Sequence, residues 1–181
     1  MRLKIDQYEQ IKQTVIDTYQ EYDIRCVPIS AFELAIKMGI KLVAYSSLSK
    51  EKKEAAKRIS KDGYSVDAKM SGWQIYYNDE DNNYERINRT IMHEIGHYSL
   101  GHIKDGKEEE MEANFFAKYA LAPPPLVHKL PNVTVKAIKV EFDISWKSAY
   151  YAHKYYESWC HSLINGYTDY EIKLLGLFDV A

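Results

Sequence analysis

Residues Thr90–His102 read TIMHEIGHYSLGH, and within them His93 and His97 bracket Glu94. On an α-helix, four residues advance by roughly 40° around the axis and about one turn along it, so the two imidazoles share a face. That spacing lets both bind one tetrahedral zinc ion at about 2.0–2.1 Å. Glu94 is rotated by about 100° from His93, outside the ligand pair but within reach of a water molecule beside the ion, as a general base must be. The same five residues can also sit on a plain polar helix face, so the surrounding sequence has to decide.

Upstream, DEDNNYER begins with turn formers, and Asn82 with Glu85 three residues later has the arrangement of a capping box. The expected helix runs from 83 to 100 and stops at Gly101, a span of about 27 Å. Ile87, Ile91, Ile95 and Tyr98 occupy the side opposite the histidines, which aims the imidazoles away from the main core. Gly96 leaves room for another element to come close.

After a short loop, HIKDGK, a second helix is expected over EEEMEANFFAKYAL, ended by the prolines at 123–125. A catalytic zinc needs a third protein ligand and an open position, and the acidic run Glu108–Glu112 is placed to return to it. The same run would also complement the helix dipole without any metal. Glu110, Ala113, Asn114, Ala117 and Leu121 form one stripe, whose alanines let this helix lie against the first, so helical phase favours Glu110 as the third ligand. Glu112 shares a stripe with Phe115, Phe116 and Tyr119 and is expected to face away. Asn114, one turn beyond Glu110, could hydrogen-bond the far nitrogen of a zinc-bound histidine. In the spacing HExxHxxGxxH a third histidine would fall at 103, where this chain has Ile103, so His102 is read as structural or as a donor behind the ligands.

The rest of the chain frames this pair of helices. Apolar residues at spacings of three and four predict a helix from Leu3 to about Tyr22, and Ser30 and Gly39 delimit another over Ala31–Met38. IKLVAYS reads as a strand, Lys50–Ile59 as a charged solvated helix, and DGYSVDAK with GWQIYYND as a hairpin. Helices are expected over TVKAIKVEF, over the segment capped by Ser145, and over TDYEIKLLGLF with a Thr168/Glu171 capping box. The length of 181 residues suggests one main domain. We divide it into a core, 1–125, and a C-terminal helical subdomain, 126–181.

With 24 basic and 26 acidic residues, net −2, the chain has no global attraction for nucleic acid or anionic membrane. Residues 126–181 carry six Lys/Arg and six Asp/Glu, so the basic stripe of a DNA-binding helix is missing there. No apolar run is long enough to span a membrane, and the two cysteines stand apart, which fits reduced, buried thiols in a cytoplasmic protein.

The stretch WQIYYNDEDNNYERINRTIMHEIGHYSLGH followed by EEEMEANFFAKYALAPPP resembles the ImmA/IrrE family of bacterial metallopeptidases. The likeness is strong over 72–125, and Phe142 with the following Ile-Ser and Ala149 is similar to that family's C-terminal helical segment. The resemblance implies an α+β, zincin-like fold of gluzincin type with a small antiparallel sheet. It also implies His93, His97 and Glu110 as Zn2+ ligands and Glu94 as catalytic glutamate. Members of this family are generally intracellular, are often encoded on mobile elements, and act on a helix-turn-helix repressor encoded beside them. One departure is Tyr98–Leu100, more polar than the usual aliphatic run.

The expected activity is zinc-dependent endoproteolysis of one protein substrate, with no direct nucleic-acid or membrane partner. The strand carrying Trp73, Ile75 and Tyr77 is expected to be the sheet edge that receives an extended substrate. Tyr150, Tyr151 and His153 are candidate donors to the developing oxyanion. Trp146, Tyr150, Tyr151, Tyr155, Tyr156 and Trp159 exceed what a small helical unit needs for its core and suggest a protein-docking patch. The alternative is a non-catalytic DNA- or protein-binding regulator with a structural zinc site.

Overall fold

A computed structural model describes residues 3–68, 72–103 and 106–179. It is an α+β structure, mostly helical, with one small sheet. The helices are α1 (Ile5–Glu21), α2 (Ala31–Lys37), α3 (Lys50–Ile59), α4 (Tyr84–Ser99), α5 (Lys107–Leu121), α6 (Pro124–Val127), α7 (Val135–Phe142), α8 (Trp146–Cys160) and α9 (Asp169–Phe178). The strands are β1 (Lys41–Ala44), β2 (Gly63–Ala68) and β3 (Gly72–Tyr77). The turn expected between β2 and β3 lies outside the described residues, as do Lys104 and Asp105 of the loop before α5.

Local chemistry sets most boundaries. Ser30, Ser49, Thr134 and Ser145 each accept a backbone N–H three residues on, which starts α2, α3, α7 and α8. Thr168 and Glu171 cap α9 reciprocally. The helix carrying the histidines starts one residue later than the sequence suggests. Asn82 takes a left-handed conformation (φ 46°) in the preceding turn, and Asn83 accepts from the Arg86 N–H at 2.9 Å. Of two adjacent asparagines, the backbone conformation decides which one caps.

The sheet differs from the expected antiparallel one. Its order is β1-β3-β2, with β1 parallel to β3 and β2 antiparallel to it. β3 is therefore the central strand. Gln74 and Ile75, adjacent and so pointing to opposite faces, are both buried, which shows that both faces of β3 are covered.

α4 and α5 pack side by side, α4 covering the sheet and α5 lying against α1. Ala113, Phe116 and Ala117 of α5 are fully buried, as are Ile91, Met92 and Ile95 of α4. Asn88 pins α4 to the start of α2, accepting from Ala31 N–H at 2.7 Å and donating to the Ile29 carbonyl at 3.0 Å. A buried side chain thus satisfies one of the orphan donors of a helix N-terminus. Arg86 does the corresponding work at the sheet: it grips Asp81 through two bonds, donates to the Asn78 carbonyl at 2.6 Å, and reaches Asp62 just before β2 at 3.2 Å. One hydrophobic core takes residues from every described helix except α3, with Ile138, Phe142, Ala149 and Leu174 joining it from beyond Pro125. Cys26 is exposed, in contrast to the buried thiol expected, and Cys160 is half-buried. No described helix is long and apolar enough to cross a membrane.

Candidate metal centre

His93 and His97 project from one face of α4, and α5 brings Glu110 to them. The two Nε2 atoms are 3.1 Å apart, Glu110 Oε2 is 3.5 Å from His93 Nε2, and Glu110 Oε1 is 3.4 Å from His97 Nε2. Two ligands on a tetrahedral zinc at about 2.0–2.1 Å are separated by about 3.3–3.4 Å. The three separations lie near that value, the two from Glu110 ending on different oxygens of its carboxylate, and no other group of three such side chains among the described residues has metal-binding spacing. Burial lowers the His93 pKa to about 4, with help from the nearby His97, Arg89 and His102. At neutral pH its ring is uncharged, the state that donates a lone pair to a metal.

The close approach of the helices is a glycine effect. A Cβ on Gly96 would stand 3.1 Å from Phe116 Cβ and 3.2 Å from Ala113 Cα, tighter than ordinary contact. Only hydrogen fits between α4 and α5 here, and this holds Glu110, one turn before Ala113 and Asn114, over the histidines.

Glu94 points to the sheet side of the same cavity and is buried; Ser65 of β2 donates to its Oε2 at 2.7 Å. The cavity, about 400 Å³, is lined by His93, Glu94, His97 and Glu110 together with Ser60 and Asp62 before β2, Gly63, Tyr64 and Ser65 of β2, and Arg89, Thr90 and Asn114. Its lining is mainly polar.

A family profile described as the peptidase M78, IrrE N-terminal-like domain, matches residues 39–154, well over half of the chain. The chain belongs to this family. No curated protein matches the sequence. Membership in the M78 family assigns a metallopeptidase-type function, and the matched region contains every residue of the triangle and Glu94.

Several expected placements change. Asn114 does not bond a ligand histidine: its amide donates to the Glu110 carbonyl at 2.7 Å and accepts from Arg89 at 3.1 Å, so it braces the turn of α5 that carries Glu110. The far nitrogen of His97 meets His102 instead, Nδ1 to Nδ1 at 3.0 Å. Glu112 faces away from the cavity and contacts that outer histidine. Trp73, Ile75 and Tyr77 are not on an edge, because β3 is central: Ile75 is buried, Trp73 packs edge-on to Tyr98, and Tyr77 packs edge-on to Phe32. The strand edge beside the cavity belongs to β2. Tyr150, Tyr151 and His153 are not among the cavity-lining residues, whereas Tyr64 and Arg89 are. The α8 aromatics divide: Trp146, Tyr150 and Tyr151 are exposed, Trp159 is buried with its indole N–H on Glu171 at 2.6 Å, and Tyr155 packs on Phe115 and Tyr119. Ser65 is the residue the sequence gives least hint of, since its link to Glu94 depends on strand register and not on any local motif.

Proposed function

We propose that the chain is a zinc-dependent endopeptidase of the zincin type that cuts one cytoplasmic protein partner, a helix-turn-helix repressor, at one or a few peptide bonds. The observation that carries the catalytic reading is the Nε2–Nε2–carboxylate triangle with a separate buried carboxylate, Glu94, beside it. His93, His97 and Glu110 would hold the ion. When bound there, a zinc ion supplies Lewis acidity, which acidifies water and polarises a carbonyl.

The chain's own residues perform the proton transfers. Glu94 takes a proton from the attacking water as its oxygen bonds to the carbonyl carbon. The C–N bond then breaks, and Glu94 returns the proton to the leaving amine nitrogen. Ser65 holds one Glu94 oxygen by its 2.7 Å bond, which fixes the direction of the carboxylate. Arg89 is the donor in the cavity wall suited to a developing oxyanion, since the Tyr64 ring lies on the opposite face of β2 from Ser65, stacked on Tyr76.

An extended substrate segment would pair with β2, the edge strand beside the cavity. Main-chain pairing gives affinity with little sequence choice, so selectivity is assigned to docking of the whole partner on Trp146, Tyr150 and Tyr151, exposed on α8. The test is incubation of the zinc-loaded protein with the folded repressor encoded beside it, and separately with unfolded casein, followed by mass spectrometry. One or a few cuts in the repressor alone, lost with chelator and in Glu94→Gln, are expected. Sequence-blind digestion of casein would refute the specificity, and an intact repressor in the presence of bound zinc would refute the substrate.

A further inference from the structure

The ligand set continues outward through a chain of side chains that the proposed chemistry does not use. His97 turns Nε2 toward His93 and Glu110, so its Nδ1 points the other way, onto His102 Nδ1 at 3.0 Å. The other nitrogen of His102, Nε2, is 3.0 Å from Glu112 Oε2. Gln7 of α1 donates to Glu112 Oε1 at 2.9 Å, and its own carbonyl oxygen is held by the Lys4 N–H at 2.9 Å. The His97 and His102 side chains are 7% and 8% exposed, so water competes little for these bonds.

The helix ending places His102 there. Gly101 is left-handed (φ 69°), its N–H donates to the Tyr98 carbonyl at 3.1 Å, and the His102 N–H donates to the His97 carbonyl at 3.0 Å. This is the paired bonding of a Schellman motif, which folds the second residue past the cap back over the residue five earlier. Here the motif lays one imidazole against another.

Only one distribution of protons suits this line. A metal on His97 Nε2 takes that lone pair, leaving the proton on Nδ1. Rings that meet through their Nδ1 atoms at 3.0 Å hold one proton between those atoms, so His102 Nδ1 is the acceptor and its own proton is on Nε2, facing the Glu112 carboxylate. Both donors then point away from the metal position, and the line ends on the Glu112 carboxylate.

We infer that His102 is a positioning residue of the metal centre: it accepts from His97 Nδ1–H, donates to Glu112, and so holds His97 in the tautomer and ring rotation that offer Nε2 to a divalent cation. The inference rests on the reading of His93, His97 and Glu110 as a metal site. Partners of this kind behind a metal-bound histidine are worth about 10- to 100-fold in metal affinity.

The test uses the full-length protein, chelator competition for zinc, and the visible absorption of the cobalt(II) form, with thermal unfolding in excess chelator to register folding separately. His102→Ala is expected to weaken zinc binding by about 10- to 100-fold and to alter the cobalt bands. His102→Asn, which can keep an acceptor oxygen near the Nδ1 position, should recover most of the affinity. Glu112→Ala, at a partly exposed helix position, should lose several-fold and carries the test if His102→Ala does not fold. Zinc affinity within twofold of the unsubstituted protein in His102→Ala or Glu112→Ala overturns the inference, as does an Asn variant no better than Ala. Failure of the unsubstituted protein to bind either metal overturns the metal reading itself, an outcome distinct from unchanged affinity in the variants.

Discussion

Replacing Gly96 by alanine adds one methyl group at the tightest point between α4 and α5. The new carbon would lie 3.1 Å from Phe116 Cβ, 3.2 Å from Ala113 Cα and 3.2 Å from Phe116 Cδ1. Two of those atoms are fixed to the α5 backbone and cannot swing aside, so the helix as a body must retreat by a few tenths of an ångström. Overpacking of this kind costs about 1–3 kcal/mol, while exchanging glycine for alanine inside a helix returns about 1 kcal/mol. The expected balance is a loss of about 1 kcal/mol, or roughly 2–4 °C in Tm for a chain of this size. Gly176→Ala in α9 is the matched control: nothing lies within 4 Å of its added carbon, so the helical gain should appear alone as higher stability. Both variants are to be unfolded thermally and by urea in excess chelator, which keeps metal binding out of the comparison. Because Glu110 rides on α5, Gly96→Ala should also weaken zinc binding while Gly176→Ala should not. A Gly96→Ala protein as stable as Gly176→Ala would refute the claim that helix contact sets this part of the site.

Glu94→Gln should abolish hydrolysis of the repressor and retain stoichiometric zinc, measured by metal analysis; full activity would remove Glu94 from the mechanism. Glu110→Ala should lose zinc to chelator far more readily than Asn114→Ala, whose side chain only braces the α5 backbone and Arg89; the opposite order would place the third ligand elsewhere. Ser65→Ala should lower kcat by about tenfold, the equivalent of about 1.5 kcal/mol for a lost bond to a charged group, with zinc content unchanged. Simultaneous replacement of Trp146, Tyr150 and Tyr151 by alanine should slow repressor cleavage through KM and leave zinc affinity and Tm close to the original values.

The helices were legible because their signals are local. Ser30, Ser145 and the Thr168/Glu171 pair stand at the ends they predict, and Glu110, on the stripe of Ala113 and Ala117, lies toward the histidines. Position in the sheet was not legible. β3 becomes central only because β1, about thirty residues upstream, pairs with it in parallel, and no feature of GWQIYY announces that partner. The Asn114 expectation failed for a related reason. A face on a helical wheel shows where a side chain can point, while the partner it takes depends on Arg89 reaching across from α4. The His97–His102 contact had a readable signal, a glycine directly before a histidine at the end of a helix, since the bonding of that cap returns the chain to the preceding turn.

The outer position of β2 has a cost of its own. Unpaired N–H and C=O groups along a sheet edge do not distinguish a substrate from a second copy of the same chain, so a cleft that must stay open for one extended segment is also a seed for self-association. The strand is short, six residues, and carries the exposed carboxylate of Asp67 near its far end. Shortness and edge charge are the means by which sheets discourage pairing with their own kind. Neutralising that charge as Asp67→Val should therefore leave the metal triangle untouched and lower solubility at high protein concentration, seen as concentration-dependent light scattering. Scattering that stays flat would mean that the edge is guarded by something other than charge.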